Sequence, residues 1–160
     1  MDELLVRGTA WLSFVFYCSS ILMQLYGKAW PWARLLWNFA ALVFAIHVTL
    51  AFHLVHRWSH DAAWQATKKQ GGVGKGIYLN YLLLALWLLD AIWWSIRPQS
   101  YLHRSQWITL SLHLFFLFMW FNAAVIFAIG PMRWLGVAGF LTLSLTYYIS
   151  LRNKPTHIKK

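Results

Sequence analysis

The sequence predicts an all-α integral membrane protein, a bundle of five transmembrane helices forming one domain over residues 1–160. Three observations carry this. Five apolar stretches, at 10–26, 35–55, 77–96, 107–129 and 134–149, each come close to the ~20 residues a helix needs to cross a hydrocarbon core of ~30 Å. Charged residues make up 11% of the chain against 60% hydrophobic ones, and they gather between the stretches. Pro31, Pro98, Pro131 and Pro155 all fall outside the stretches, as expected of a residue that lacks an amide hydrogen and breaks a helix interior. Lipid offers no partner to backbone N–H and C=O groups, so each span must satisfy its own as an α-helix.

The first span follows Asp2, Glu3 and Arg7. An acidic start and the lack of a small-residue cleavage pattern argue against a removable signal peptide. This span holds Cys18, the single cysteine, which has no intrachain disulfide partner. The second span runs from the Trp30-Pro31-Trp32 segment into a group of histidines. The connection after it is the longest, and residues 61–66 within it are helix-compatible. Gly71, Gly72, Gly74 and Gly76 then give a flexible run. With Lys75 this run superficially resembles a phosphate-binding loop, but Gly76 stands where Ser or Thr is required and Lys69 where the first glycine belongs. Nucleotide binding is excluded on that ground. The third span carries Asp90, and the fourth carries His113 and Asn122. Gly136 and Gly139 on the fifth offer a small patch for close helix approach, at a spacing that is not GxxxG.

The formal charge of +10 does not indicate nucleic acid, because Arg34, Arg57, Arg97 and Arg133 sit at span ends where they can snorkel to headgroups. No basic stripe with interleaved polar readers is present. The tail residues Arg152, Lys154, Lys159 and Lys160 suit anionic lipid. Counted by side, Lys and Arg slightly favour the C-terminal face, so the expected placement is a bacterial inner membrane with the N-terminus out and the C-terminus in. Of 12 tryptophans, Trp11, Trp30, Trp32, Trp93, Trp94, Trp107 and Trp134 lie near span ends, where an indole can be half wet. Trp87 and Trp120 fall mid-membrane and are expected to pack against neighbouring helices.

Polar residues are few, and each one inside a span costs free energy. His53, His56 and His60 would fall within an arc of ~60° if the second helix continued through Arg57-Trp58-Ser59. Such a stripe could hold a transition metal, with Asp61 or the top of the third span (Tyr78, Asn80, Tyr81) completing the site. A carboxylate inside a span costs ~2.5–3.5 kcal/mol on insertion scales, so Asp90 needs a partner. Depth arithmetic nominates His113, each lying ~10 Å from the same face. That pair could support a ligand or relay a proton. His47 lies deeper, ~20 Å from the same face and near the level of Asn122. Either His47 or His113 could be the single axial ligand of a tetrapyrrole, but their depths differ too far for a bis-histidine pair.

The His53/His56 and His56/His60 spacings resemble the HxxH and HxxxH elements of histidine-rich membrane desaturases and hydroxylases. The likeness covers eight residues, and the HxxHH boxes of that family have no counterpart here. A di-iron oxygenase is therefore not expected. Size, span number and tryptophan content resemble the tryptophan-rich sensory/translocator proteins, which bind porphyrins and sterols. Lys28-Ala29-Trp30-Pro31-Trp32 does not reproduce the early proline- and tryptophan-bearing motif of that family. No nucleophile–base–oxyanion arrangement is visible, so no reaction class is assigned. The expected function is a metal- or cofactor-binding membrane subunit with a redox or proton-linked role, in contact with lipid and other membrane subunits. The alternatives are a non-catalytic accessory or assembly subunit of a larger membrane complex, and a small-solute or ion carrier titrating on Asp90.

Overall fold

The computed structural model describes residues 2–26 and 30–152, and every element among them is helical. Helix α1 (Asp2–Tyr26) is followed by α2 (Trp30–Leu50), whose last turn widens into a π-helical segment, Ala51–Val55. A separate helix α3 (His60–Gly71) leads to α4 (Gly76–Ile96). A single-turn helix α5 (Pro98–Leu102) precedes α6 (Gln106–Phe121), which also ends in a π segment, Asn122–Ile126. Helix α7 (Pro131–Arg152) completes the described chain. Among the described residues, four helices are long and apolar enough to cross a membrane: Asp2–Leu25, Pro31–Val55, Gly76–Ile96 and Gln106–Ile126. They match the first four expected spans. The fifth, 134–149, is helical within α7 and carries the hydroxyl groups of Thr142, Ser144, Thr146, Tyr147 and Tyr148.

Local sequence explains the boundaries. Pro31, Pro98 and Pro131 each sit in the first turn of a helix, where the missing N–H is no loss and the fixed φ suits the helix. Helix α1 begins earlier than its apolar stretch because Asp2 and Glu3 complement the dipole of its first turn. Ser59 and Ser105 cap α3 and α6, accepting from Ala62 N and Trp107 N. Gly72 closes α3 at φ 77°, a left-handed conformation open to glycine. Lys28, Ala29, Lys154, His157, Lys159 and Lys160 lie outside the described residues.

Partner residues give the helix directions. Ser20 Oγ donates to Ala33 O and Ser13 Oγ to Ala40 O, both at 2.8 Å. His47 meets Val6 further along, so α1 and α2 are antiparallel. The contact is close because Ala33, Ala40 and Ala41 present almost no side chain, the small-residue packing typical of helices in lipid. Helix α7 runs parallel to α1: Gly139 faces Phe14, and Ser150 Oγ reaches Leu25 O at 3.4 Å. Gly136 lies directly over Ala124, where a Cβ would come within 2.1 Å of the carbonyl oxygen. The two glycines thus serve close approach, as a small-residue patch offers, without a GxxxG spacing.

The core is aromatic. Phe14, Tyr17, Trp37, Phe44, Trp87 and Trp120 are buried at the bundle centre, with Trp37 stacked on Phe116 at 5.6 Å and 9°. Trp87 and Trp120 are packing residues, as expected. Trp32, Trp107 and Trp134 are exposed at helix ends as a belt requires. Trp94 is not part of that belt. It is buried and stacks face to face on Tyr101 at 4.5 Å.

Candidate ligand site

Asp90 projects from α4 into the bundle, and its partner is Arg104 rather than His113. Arg104 Nη1 donates to Asp90 Oδ1, and Tyr101 Oη donates to Oδ2 at 2.9 Å. The two charged side chains are 2% and 4% exposed. Arg104 is held further by its Nε–H bond to Thr109 Oγ1 at 2.8 Å and by lying 4.0 Å over the Tyr101 ring. The Trp37 indole N–H stands close to the same carboxylate, outside ordinary hydrogen-bond geometry. Depth arithmetic failed here because it kept the connection between α4 and α6 outside the bundle. Instead α5 tucks Tyr101 under Trp94 and returns Arg104 to the level of Asp90. Burial, followed by the Asp90 carboxylate, pushes the Tyr101 phenol well above its ordinary range, so it remains a donor.

Arg104, Tyr101 and His113 belong to the wall of a cavity of about 1090 Å³ between α1, α6 and α7. Helices α6 and α7 touch at Phe121 and Phe140, 5.4 Å apart. From there the cavity fills the space between them as far as Trp107 and Tyr147. Leu114, Phe118 and Tyr147 line it yet are exposed, so it opens sideways toward surrounding lipid. Its lining is mainly apolar. The polar members are Tyr17 and Gln24 from α1, Tyr101 and Arg104 from the connection between α4 and α6, Gln106, Thr109 and His113 from α6, and Ser144 and Tyr147 from α7.

Two of these are incompletely bonded. Tyr17 Oη and His113 Nδ1 are buried and, among the described residues, without hydrogen-bond partners. Both rings touch Trp37, Tyr17 at 5.8 Å and His113 edge-on at 5.6 Å. Tyr17 and Arg104 were not read as site residues from sequence. A phenol near the middle of an apolar span was the available signal for Tyr17. For Arg104 it was the presence of a cation in the short connection after Asp90.

The remaining expected site residues are dispersed. His47 Nδ1–H donates to Val6 O at 2.9 Å and packs on Phe44, bridging α2 to α1. Asn122 does not join it and instead donates to Phe118 O at 2.7 Å. The histidine stripe is broken by the backbone: Arg57 and Trp58 take φ of 49° and 61°, so α2 stops and His60 opens α3. His53 Nδ1 accepts from Trp58 Nε1 at 3.3 Å. His56 packs edge-on against Phe52, and burial holds its imidazole below the usual range. His60 Nδ1 meets Tyr81 Oη at 3.0 Å. Among the described residues no group of three His, Cys, Asp or Glu side chains comes together to hold a metal. Comparison with protein families, characterised proteins and solved structures finds no match for this chain.

Proposed function

We propose that this is a membrane-embedded binding protein for a lipid-soluble small molecule, seated between α1, α6 and α7 with its polar part toward Tyr17, Arg104 and His113. The reading treats α7 as a fifth crossing that closes one side of the site. It keeps His113 as a ligand-facing residue and Asp90 as the support of Arg104, and it assigns His47 to helix packing. One observation carries it: Tyr17 and His113, each holding a buried polar atom without a partner among the described residues, both line the same cavity. Buried polar groups are almost always paired within proteins. Of six such exceptions among the described residues, the two on Tyr17 and His113 belong to side chains that line one mainly apolar space of ligand size, the setting of a small-molecule site. The fixed Asp90–Arg104–Tyr101 group gives that wall a rigid polar end.

The test is extraction and mass spectrometry of full-length protein purified in mild detergent. A near-stoichiometric small molecule or a single enriched lipid is expected. Leu117→Trp, which fills the cavity, should lose it while helicity is kept. Lipid present only in bulk proportions, or a ligand retained equally by Leu117→Trp, would sink the reading.

A further inference from the structure

Tyr17 Oη and His113 Nδ1 have no surface open to the cavity, so other side chains meet the polar part of a ligand. Tyr101, Arg104 and Thr109 are bonded within the group around Asp90. Three lining side chains are exposed and make no hydrogen bond among the described residues: Gln106 at the start of α6, and Ser144 and Tyr147 on α7. Gln24, near the end of α1, donates to Ser20 Oγ at 3.3 Å, and its amide oxygen accepts no bond among the described residues.

These groups share one end of the space. Phe121 meets Phe140 and Ala124 meets Gly136, so α6 and α7 are antiparallel, and α6 begins on the face where α1 and α7 end. From the Phe121–Phe140 contact the wall runs ~22 Å along α6 to Gln106 and ~10 Å along α7 to Tyr147. Leu114, Leu117, Phe118 and Leu143 line the interval. The cavity therefore has an amide and hydroxyl rim and an apolar depth. That depth exceeds half of a ~30 Å hydrocarbon core, so it takes an acyl chain laid along α6. The volume of about 1090 Å³ lies above the ~300–1,000 Å³ usual for small-molecule sites, which suits an elongated lipid better than a compact ring.

The rim also selects the head. A phosphate or carboxylate is recognised by an unpaired cation. Arg104 is the cation in the described lining, its charge is met by Asp90, and Arg97 and Arg152 stand outside that lining. A fatty alcohol or a sterol presents one hydroxyl, whereas the available rim groups come from three helices. A glycerol ester matches them: its hydroxyls donate and accept, its ester carbonyls accept, and it carries no charge.

Resting on the binding function proposed above, we infer that the ligand is an acylglycerol, a lipid with an uncharged, hydroxyl-bearing glycerol ester head. Its acyl chain lies along α6 toward Phe121 and Phe140, and its hydroxyl and ester groups meet Gln24, Gln106, Ser144 and Tyr147. Tyr17, Arg104 and His113 form the closed wall behind it.

The experiment uses full-length protein in phosphatidylcholine nanodiscs that contain a diacylglycerol with a diazirine near the end of one chain. Photolabelling is followed by peptide mass spectrometry. Saturable labelling at one lipid per protein chain is expected, mapped to α6 or α7 near Phe121 and Phe140. Unlabelled diacylglycerol should compete about tenfold more strongly than phosphatidic acid, oleate or oleyl alcohol. Gln106→Leu/Tyr147→Phe changes exposed side chains and leaves the core intact, as circular dichroism checks. It should bring the four competitors within about threefold of one another while labelling persists, a loss of discrimination that a merely structural role would not produce. Unchanged discrimination in that double variant overturns the assignment of the rim. Competition by phosphatidic acid, oleate or oleyl alcohol as strong as that by diacylglycerol overturns the ligand class but leaves the cavity as a site. Labelling spread over the lipid-facing surface and equal in Leu117→Trp, with wild-type protein free of co-purified ligand, overturns the binding function as well.

Discussion

A buried ion pair is worth little relative to apolar residues of the same shape, yet removing one half leaves a charge stranded. Asp90 and Arg104 should follow that rule. Arg104→Ala and Asp90→Ala are each expected to destabilise by ~3–5 kcal/mol, and Asp90→Leu/Arg104→Met by much less than the sum. Denaturant titration in detergent would measure the cycle, and single variants within ~0.5 kcal/mol of wild type would show that the pair is not holding the fold. Tyr101 adds a pH dependence. Its folded pKa lies above its unfolded value of ~10, so its bond to Asp90 contributes fully below pH ~10 and is lost as pH rises through the folded value. Tyr101→Phe should therefore flatten the fall of Tm above pH ~10, and an unchanged slope would exclude the phenol as its source. Asp90 could be recognised from sequence because a carboxylate in an apolar run needs an explanation. Its partner could not, since the arithmetic of straight helices has no place for a connection folding back into the bundle. Tyr17 was hidden for another reason: its ring suits an apolar span, and only the fold reveals that its hydroxyl goes unpaired.

Helix existence follows from apolar length, so α1, α2, α4, α6 and α7 were all legible. What ends a helix in lipid is subtler. Both α2 and α6 finish in a π turn with an i→i+5 bond, His56 N to Ala51 O and Phe127 N to Asn122 O. No proline or glycine marks the first of these, and the histidine stripe expected across it never forms. Helix α5 is a single turn, too short for a periodic signal. Glycine was more informative. At Gly136 any side chain meets the Ala124 carbonyl, so Gly136→Ala must push α7 away from the end of α6. It should cost ~1–3 kcal/mol. Gly8, inside α1 with nothing within 4 Å of where a Cβ would stand, makes the contrast. Gly8→Ala should stabilise by ~0.5–1 kcal/mol through backbone entropy. Tm values for the two variants in one detergent decide this, and a Gly136→Ala protein as stable as wild type would mean that α7 does not sit against Ala124.

For the whole molecule, the register between α1 and α7 bears on topology. Phe14 lies by Gly139 and Leu25 by Ser150, the same offset at points eleven residues apart along each helix. Two helices matched over that length, ~16 Å at 1.5 Å per residue, share one depth and one direction. If α1 crosses the bilayer, α7 crosses with it despite its hydroxyl groups. Of those groups, Thr142 Oγ1 bonds back to Ala138 O within the helix and Ser150 Oγ bonds across to Leu25 O of α1. The five crossings proposed above would put Asp2 and Arg152 on opposite faces. Reporter fusions that signal their side of the membrane, attached before residue 2 and after residue 152, should give opposite readings. Equal readings would mean that α7 leaves α1 in the bilayer, and the cavity between them would lose its third wall. The same experiment tests the orientation that the near-balanced Lys and Arg distribution leaves weakly specified. A cytoplasmic reporter at the C-terminal end would place Arg104 and the polar end of the cavity toward the cytoplasm, since α6 begins on the face where α1 and α7 end.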